Sequence, residues 1–392
     1  MKVTIVGGAG RVGLPFGLVL AEQGHHVTAF DTNLQAVETI NNGDMPFLEA
    51  GAPEILTRAR SNGNFLATSD PDSVLGAEVV VVVVGTPFDE HLNPDPGAVE
   101  QILADLSPFF HSGQLLILRS TVFPGVTRKV EEWFTSHHPG VAVVFCPERI
   151  AEGFALEEIP TLPQLVGART ETIAKQACSF FDSIGVRSIV VEPEEAELAK
   201  LFTNTWRYIK FAAANQFWVV ANEFDVDFER VRSAITTDYP RAADLPGAGF
   251  AGGPCLLKDT MQLSTLTGNV FPLGNAAMLV NEGLPLYLIQ RLGQKFDLRS
   301  STIGILGMAF KRDVDDIRSS LSYKLRKLLS FQAERVLCSD PYVNDDRLVS
   351  QDQVLDESDL VIIATPHTCY KSIEFRQPLV DLWNLYGQGV RI

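Results

Sequence analysis

The apolar positions of the first half fall in short unbroken runs rather than in strict alternation. KVTIV (2–6), HHVTAFD (25–31), AEVVVVVVGTP (77–87), QLLILRSTV (114–122) and VAVVFCPE (141–148) each close on polar or turn residues. Such runs predict strands covered on both faces, as in parallel sheets flanked by helices. A glycine turn at 7–13 leads from the first run into the apolar helix LPFGLVLAEQG. From Pro193 the pattern changes, because EEAELAKLFTNTWRYIKFAAANQFWVVANEFD holds no Pro or Gly and repeats its apolar residues at helical spacing. Glutamates at its start suit the positive end of a helix, and about 30 residues extend roughly 45 Å. Its aromatic residues Phe202, Trp206, Phe211, Phe217 and Trp218 admit two readings, core packing or a face for a second copy of the chain.

Another helical region, 272–295, precedes STIGILGMAF (301–310), ERVLCSDPY (334–342) and DLVIIATPH (359–367), which repeat the strand-and-helix pattern of the first half. The expected architecture is α/β, with two Rossmann-like doubly wound parallel-sheet domains joined by a long central helix and a helical middle domain. The expected boundaries are 1–193, 194–297 and 298–392.

Length agrees with that division, since 392 residues exceed one core and fit two or three domains. A formal charge of −16 argues against a protein that coats nucleic acid or an anionic membrane, so an anionic ligand must meet a local basic cluster. The cysteines at 146, 178, 255, 338 and 369 are far apart and include no CxxC pair, which speaks against a disulfide framework or a structural metal site. The opening MKVTIVGG reads as strand and turn rather than a leader, and the longest pure apolar run, Val79 to Val84, is too short to span a bilayer. The expectation is a cytoplasmic protein in a reducing compartment, with no metal.

Candidate chemistry gathers at the ends of the apolar runs. Gly8, Gly10 and Gly13 match G-x-G-x-x-G between a predicted strand and helix, and Asp31 closes the next strand, where a carboxylate accepts from a ribose 2′-hydroxyl. That acid favours NAD over its 2′-phosphorylated relative. Thr86, Thr121 and Glu148 stand at the carboxyl ends of later strands, where an open α/β sheet binds ligands. The threonines rest on position alone, whereas a carboxylate ending an apolar strand must be solvated, paired or used. On the long helix Lys200 and Asn204 share a face one turn apart, and Lys200 is either a desolvated proton-transfer group or a snorkelling surface lysine.

In GAGFAGGPCLLKDT (247–260), four glycines permit positive φ and close approach to a ligand before Cys255, and LLKDTMQLSTL carries a helical apolar stripe after it. A thiol at a helix N-terminus is drawn toward thiolate, but a free cysteine is also a common small buried residue, and the loop alone leaves both readings open. In the last domain Gly304 and Gly307 look like a degenerate phosphate turn, with Lys311 and Arg312 supplying positive charge.

With these pieces in place, the chain resembles the UDP-glucose/GDP-mannose dehydrogenase family over nearly its whole length. The resemblance is carried, in order, by GGAGRVGLP, the GTP of Gly85 to Pro87, RSTVFPG around Thr121, CPERIAEG from Cys146, AELAKLFTN from Ala196, the Cys255, Lys258 and Asp259 segment, and GMAFKRDVDDIRSS from Gly307. It implies a four-electron oxidation of a sugar-nucleotide C6 alcohol to a carboxylate with NAD, through a hemithioacetal and then a thioester on Cys255. By matching position, Lys200 and Asn204 would steady the oxyanion or assist proton transfer, while Asp259, Thr121 and Glu148 would position and activate water. Cofactor contacts would come from Gly8, Gly10, Arg11, Val12, Gly13, Asp31, Thr86, Thr121, Glu152, Lys258 and Arg318. Substrate contacts would come from Glu148, Arg149, Lys200, Asn204, Arg241, Phe250, Gly252 and Lys311, the last at the diphosphate.

Within the family a UDP-sugar is the favoured substrate; the charge speaks against a nucleic acid or membrane partner, and the long aromatic helix predicts a homodimer through the central helical domain. The usual loop of the family reads close to GFGGSC, whereas this chain has GFAGGPC, with Pro254 before the thiol and Phe250 displaced by one. CPER is more like the N-acetylmannosamine branch than the NPEF of glucose enzymes, and the sugar stays open. Two alternatives share parts of the pattern: a two-electron enzyme of the 3-hydroxyacid or 6-phosphogluconate type, which has no need of Cys255, and a non-catalytic sugar-nucleotide-binding protein.

Overall fold

The structure is a computed structural model that describes residues 1–86, 97–268 and 270–389; Pro87, the last residue of the Gly85 to Pro87 motif, lies outside them. The chain divides into two compact units, Met1–Phe202 and Thr203–Ile392.

Unit 1 is built on β1 (Lys2–Val6), β2 (His26–Phe30), β3 (Phe65–Thr68), β4 (Val79–Val82), β5 (Leu115–Leu118), β6 (Ala142–Phe145), β7 (Gln164–Gly167) and β8 (Ser188–Val191). These form one sheet in the order β3-β2-β1-β4-β5-β6-β7-β8. The first six strands are parallel; β7 joins β6 antiparallel at the single pair Phe145 and Gly167, and β8 runs parallel to β7. Every residue of β4 and β5 is buried, as their unbroken apolar runs predict. Strand order reverses between β1 and β4, so the carboxyl ends of β1, β2, β4, β5 and β6 frame the crevice where such a sheet takes ligands.

Unit 2 carries a four-stranded parallel sheet, β9 (Thr302–Leu306), β10 (Arg335–Ser339), β11 (Leu360–Ile363) and β12 (Leu379–Asp381), in the order β10-β9-β11-β12. It also holds the helices Leu256–Leu266 and Pro272–Gly293. The doubly wound, mostly parallel α/β architecture read from the sequence is thus observed, with a helical region ahead of the second sheet. Strands β3, β7, β8 and β12, each of three or four residues, lie outside the apolar runs read from the sequence.

The long helix runs Pro193–Glu223, with Glu194 and Glu195 in its first turn, and the boundary between units falls inside it. Its aromatic residues do not share one fate. Trp218 is buried in the core of unit 2, edge-on to Tyr287 at 5.5 Å, and Phe211 is half-buried against a small cluster around Tyr208, so both answer to packing. Full burial of such a side chain contributes about 2–3 kcal/mol. Phe202, Trp206 and Phe217 are about half exposed, with Val220 exposed further along the same helix and Phe224 exposed just past its end.

Candidate active site

In unit 1 the turn after β1 is closed by the amides of Gly7 and Gly8, which donate to the Phe30 carbonyl at 2.9 and 3.0 Å. A Cβ on Gly8 would lie 2.6 Å from the Ala29 Cα, and one on Gly13 would lie 2.4 Å from the Gly7 carbonyl oxygen. Neither position admits a side chain. Gly10 differs, since among the described residues a Cβ there would meet only the Gly7 oxygen, at 3.3 Å, which leaves room for a phosphate beside the helix Gly13–Glu22 that Val12 caps.

Asp31 follows β2 directly. One carboxylate oxygen accepts from the Ala9 amide at 3.1 Å, the other from the Asn33 amide at 3.0 Å, and the residue stays partly exposed. An ionised carboxylate has about four acceptor positions, so two remain for a ribose diol. A sterically obligatory glycine turn, an open phosphate position and a half-occupied carboxylate together fit NAD. Arg11, in the same turn, pairs with Glu152 at 3.0 Å and lies 5.0 Å from the Phe47 ring, so two residues singled out separately from the sequence meet.

At the strand ends Thr86 and Thr121 are both partly buried. Glu148, after β6, is anchored throughout: one oxygen accepts from the amides of Arg149 at 2.6 Å and Ile150 at 2.9 Å, and the other pairs with the buried guanidinium of Arg119. The Arg149 side chain turns away to the Pro163 carbonyl, and burial pulls its guanidinium below the usual value. Beyond Thr121, the fully buried Glu197 of the long helix accepts from the amides of Gly125 at 2.6 Å and Thr127 at 2.8 Å and from the Thr127 hydroxyl at 2.6 Å. Burial pushes its carboxyl up, and these hydrogen bonds pull it back. Lys200, one turn further on, is buried and makes no ion pair among the described residues.

In unit 2 Cys255 caps the helix Leu256–Leu266 and is exposed, whereas burial pushes the thiols of Cys146 and Cys338 up, the latter to about 12. The chain approaches it through Gly249, Gly252 and Gly253. A Cβ on Gly253, at φ +103°, would lie 2.7 Å from the Phe310 ring. The near end of the loop is fixed by the buried Asn215, which accepts from the Gly249 amide at 2.9 Å and donates to Asn281, also at 2.9 Å. Phe250 is buried and Gly252 partly so.

Asp259, one turn into the helix, is fully buried; its amide donates to the Cys255 carbonyl at 2.9 Å and one carboxylate oxygen accepts from Asn204 at 2.6 Å. The other oxygen has no hydrogen-bond donor among the described residues, with the Lys258 ammonium 3.8 Å away. A buried acceptor left open in this way is what a substrate hydroxyl or a water satisfies. Cys255, Lys258, Asp259 and Asn204 are therefore one cluster. Arg241 is exposed and stacks with Tyr239.

The turn after β9 departs from the sequence reading. Gly304 lies inside β9, where a Cβ would strike Ser358 and Val354, so it serves helix packing rather than phosphate. The amides of Met308 and Ala309 donate to Asp340 at 2.6 and 2.9 Å and are therefore occupied. Lys311 is partly buried beyond that turn, and Arg318 forks onto Asp316 at 2.6 to 3.0 Å. Arg119, Glu197, Asn215 and Asp340 were not singled out from the sequence; the first two lie within quoted motifs, but only burial and partners mark them.

Comparison with known proteins matches three parts of the chain to one family. Residues 1–184 match the NAD-binding domain of the UDP-glucose/GDP-mannose dehydrogenase family, 194–283 its central domain, and 304–388 its UDP-binding domain. A UDP-N-acetyl-D-mannosamine dehydrogenase from Pyrococcus horikoshii is 28% identical over 100% of this chain and 93% of its own. An NDP-N-acetyl-D-galactosaminuronic acid dehydrogenase from Ralstonia nicotianae is 26% identical over 94% of this chain and 91% of its own. The solved structure of a UDP-glucose dehydrogenase from Pyrobaculum islandicum superposes with a TM-score of 0.88 at 29% identity, covering 97% of this chain and 93% of that one.

Proposed function

Because the chain belongs to the UDP-glucose/GDP-mannose dehydrogenase family and is an NAD-dependent nucleotide-sugar dehydrogenase, we propose that it oxidises C6 of a UDP-hexose or UDP-N-acetylhexosamine to the uronate through Cys255. The observation that supports this most directly is the exposed Cys255 at a helix start, with the buried carboxylate of Asp259 one turn on and an open acceptor oxygen on that carboxylate.

NAD supplies the hydride acceptor in both oxidations. The first removes a hydride and a proton from the C6 alcohol. The resulting aldehyde yields no second hydride readily until a nucleophile adds, and the Cys255 thiolate provides one by forming a hemithioacetal. Loss of the second hydride leaves a thioester, which water hydrolyses. The balance is one alcohol, two NAD and one water to one carboxylate, two NADH and three protons.

Lys200 and Asn204 steady the oxyanion or carry a proton, while Asp259, Thr121 and Glu148 orient and activate water. Lys311 meets the substrate diphosphate, with Arg149, Arg241, Phe250 and Gly252 as further substrate contacts. Lys258, Glu152, Thr86 and Arg318 join the glycine turn, Arg11 and Asp31 in holding the cofactor. The exposed Phe202, Trp206, Phe217 and Val220 on one helix, with Phe224 just past its end, support a homodimer, which light scattering at micromolar concentration checks. The cysteines are free, in keeping with a reducing compartment, and no described helix is long and apolar enough to cross a membrane.

The deciding experiment scores UDP-glucose, UDP-N-acetylmannosamine, UDP-N-acetylgalactosamine and GDP-mannose for NADH yield and uronate. Two NADH per sugar is expected, and Cys255→Ser should slow acid formation by on the order of a thousandfold or more. One NADH per substrate with an unaffected Cys255→Ser variant would point instead to a two-electron enzyme.

A further inference from the structure

Arg119 stands directly after β5 and is buried, at 3% exposure, an unusual place for an arginine. Its guanidinium points across to the end of β6. One terminal nitrogen donates to the Cys146 carbonyl at 3.2 Å and to Gln164 Oε1 at 2.7 Å, and the other pairs with Glu148 Oε2. Gln164 is itself fixed, donating to the carbonyls of Pro147 and Leu165, both at 3.0 Å. The rings of Phe16 and Phe181 lie 4.3 and 5.9 Å from Arg119 Cζ. Its Nε is buried with no acceptor among the described residues.

The target of this construction is one carboxylate. Glu148 Oε1 already accepts from the amides of Arg149 and Ile150, and Arg119 takes a position on Oε2. With three of about four acceptor positions filled, one direction on Oε2 is left. We propose that Arg119 is the positioning residue for thioester hydrolysis, because it locks Glu148 so that the remaining lone pair holds a single water in one orientation. The proposal rests on the reading that Glu148 serves the hydrolytic water. In that step the water oxygen bonds to the acyl carbon and the carbon–sulfur bond breaks with its electron pair going to Cys255 Sγ. The two protons of the water end on the thiolate and in solvent, leaving a carboxylate.

A misplacement of about 1 Å can cost on the order of a hundredfold in rate, so loosening Glu148 should slow hydrolysis and spare the oxidations before it. The test uses the full-length enzyme, NAD and whichever UDP-sugar the wild type oxidises fastest, followed by stopped-flow absorbance of NADH and intact-protein mass. Arg119→Lys, which keeps the charge but not the fork, and Arg119→Met, which keeps the bulk beside Phe16, are expected to retain a burst of two NADH per chain. Their steady-state rate should fall about a hundredfold, with the thioester trapped on Cys255 and turnover restored by hydroxylamine, which cleaves thioesters without an oriented water.

A burst that shrinks in proportion to the steady-state rate, with no trapped thioester, overturns the proposal, as does an unchanged steady state. Should Arg119→Met fail to fold, Glu148→Gln leaves the arginine and its packing in place and must trap the same thioester; normal hydrolysis in that variant also overturns the proposal. A wild-type yield of one NADH per sugar overturns the underlying reading and this proposal with it, whereas two NADH with untrapped variants overturns this proposal alone.

Discussion

Asp31 and Asp340 occupy the same place in two similar constructions, each directly after the second strand of a strand–glycine turn–helix–strand unit. In unit 1 the turn hands Asp31 one amide, from Ala9, and the carboxylate stays partly exposed. In unit 2 the turn hands Asp340 two amides, from Met308 and Ala309; Tyr342 and Val343 add two more at 2.9 and 3.2 Å, and His367 Nε2 donates at 3.0 Å. That side chain is fully buried. His367 can donate there because its Nδ1 accepts from the Asp313 amide at 2.9 Å, which fixes the ring tautomer. One acid is thus left as an acceptor for a ligand, and the other is an internal cap that ties β9, β10 and the segment after β11 together. What decides between them is whether neighbouring segments bring enough donors to fill the carboxylate, which a strand-end aspartate in a sequence does not reveal.

Asp340→Asn breaks the comparison most sharply. Removing the charge while turning an amide nitrogen toward backbone N–H groups should cost about 2–4 kcal/mol, seen as a fall in melting temperature of roughly 5–10 °C. The pH dependence has a defined sign. Burial alone pushes the Asp340 carboxyl up, but the His367 hydrogen bond and the amides of Ala309 and Tyr342 more than reverse this, so it ionises below its ordinary value. Its stabilisation is complete above the unfolded value near pH ~3.9 and is lost as pH falls through the lower folded value. The stability gap between wild type and Asp340→Asn should therefore be widest at neutral pH and close in acid; a gap that grows on acidification would contradict the assignment.

A smaller effect, of a different kind, is expected at Asp31. Asp31→Asn should weaken NAD binding about tenfold in a titration, near 1.4 kcal/mol, with a stability change under about 1 kcal/mol. If it destabilised the fold as Asp340→Asn does, the two carboxylates would not differ as described. The smallest effect belongs to Gly10→Ala. Among the described residues its Cβ meets only the Gly7 oxygen, at 3.3 Å, so stability should stay within about 0.5 kcal/mol of wild type while NAD affinity falls several-fold.

Much of the first turn was legible in the sequence because its logic is steric: Gly8 and Gly13 have no space for a side chain, and that requirement is written as glycine. The sheet of unit 1 was legible for a similar reason, since burial on both faces forces unbroken runs such as Val79–Val82. The second turn misled because Gly304 is also a glycine, required by Val354 on the helix Gln351–Glu357 and by Ser358 just after it. Cys255, Asp259 and Asn204 could be named from motifs, yet nothing in their spacing states that Asp259 keeps one buried oxygen open. Arg119 was in plain view within RSTVFPG. Its part could not be read, because an arginine after a strand is ordinary until its burial and its grip on Glu148 are known.

The helix Pro193–Glu223 is rooted twice: Ala196 sits in the core of unit 1, and Ala214, Trp218 and Ala221 in that of unit 2. Its only route to melting in one half is to fray a continuous run of backbone hydrogen bonds toward the other. One continuous helix thus contributes side chains to both cores. Amide hydrogens around Thr203, at the boundary where a flexible joint would exchange fastest, should instead exchange as slowly as those of the strands.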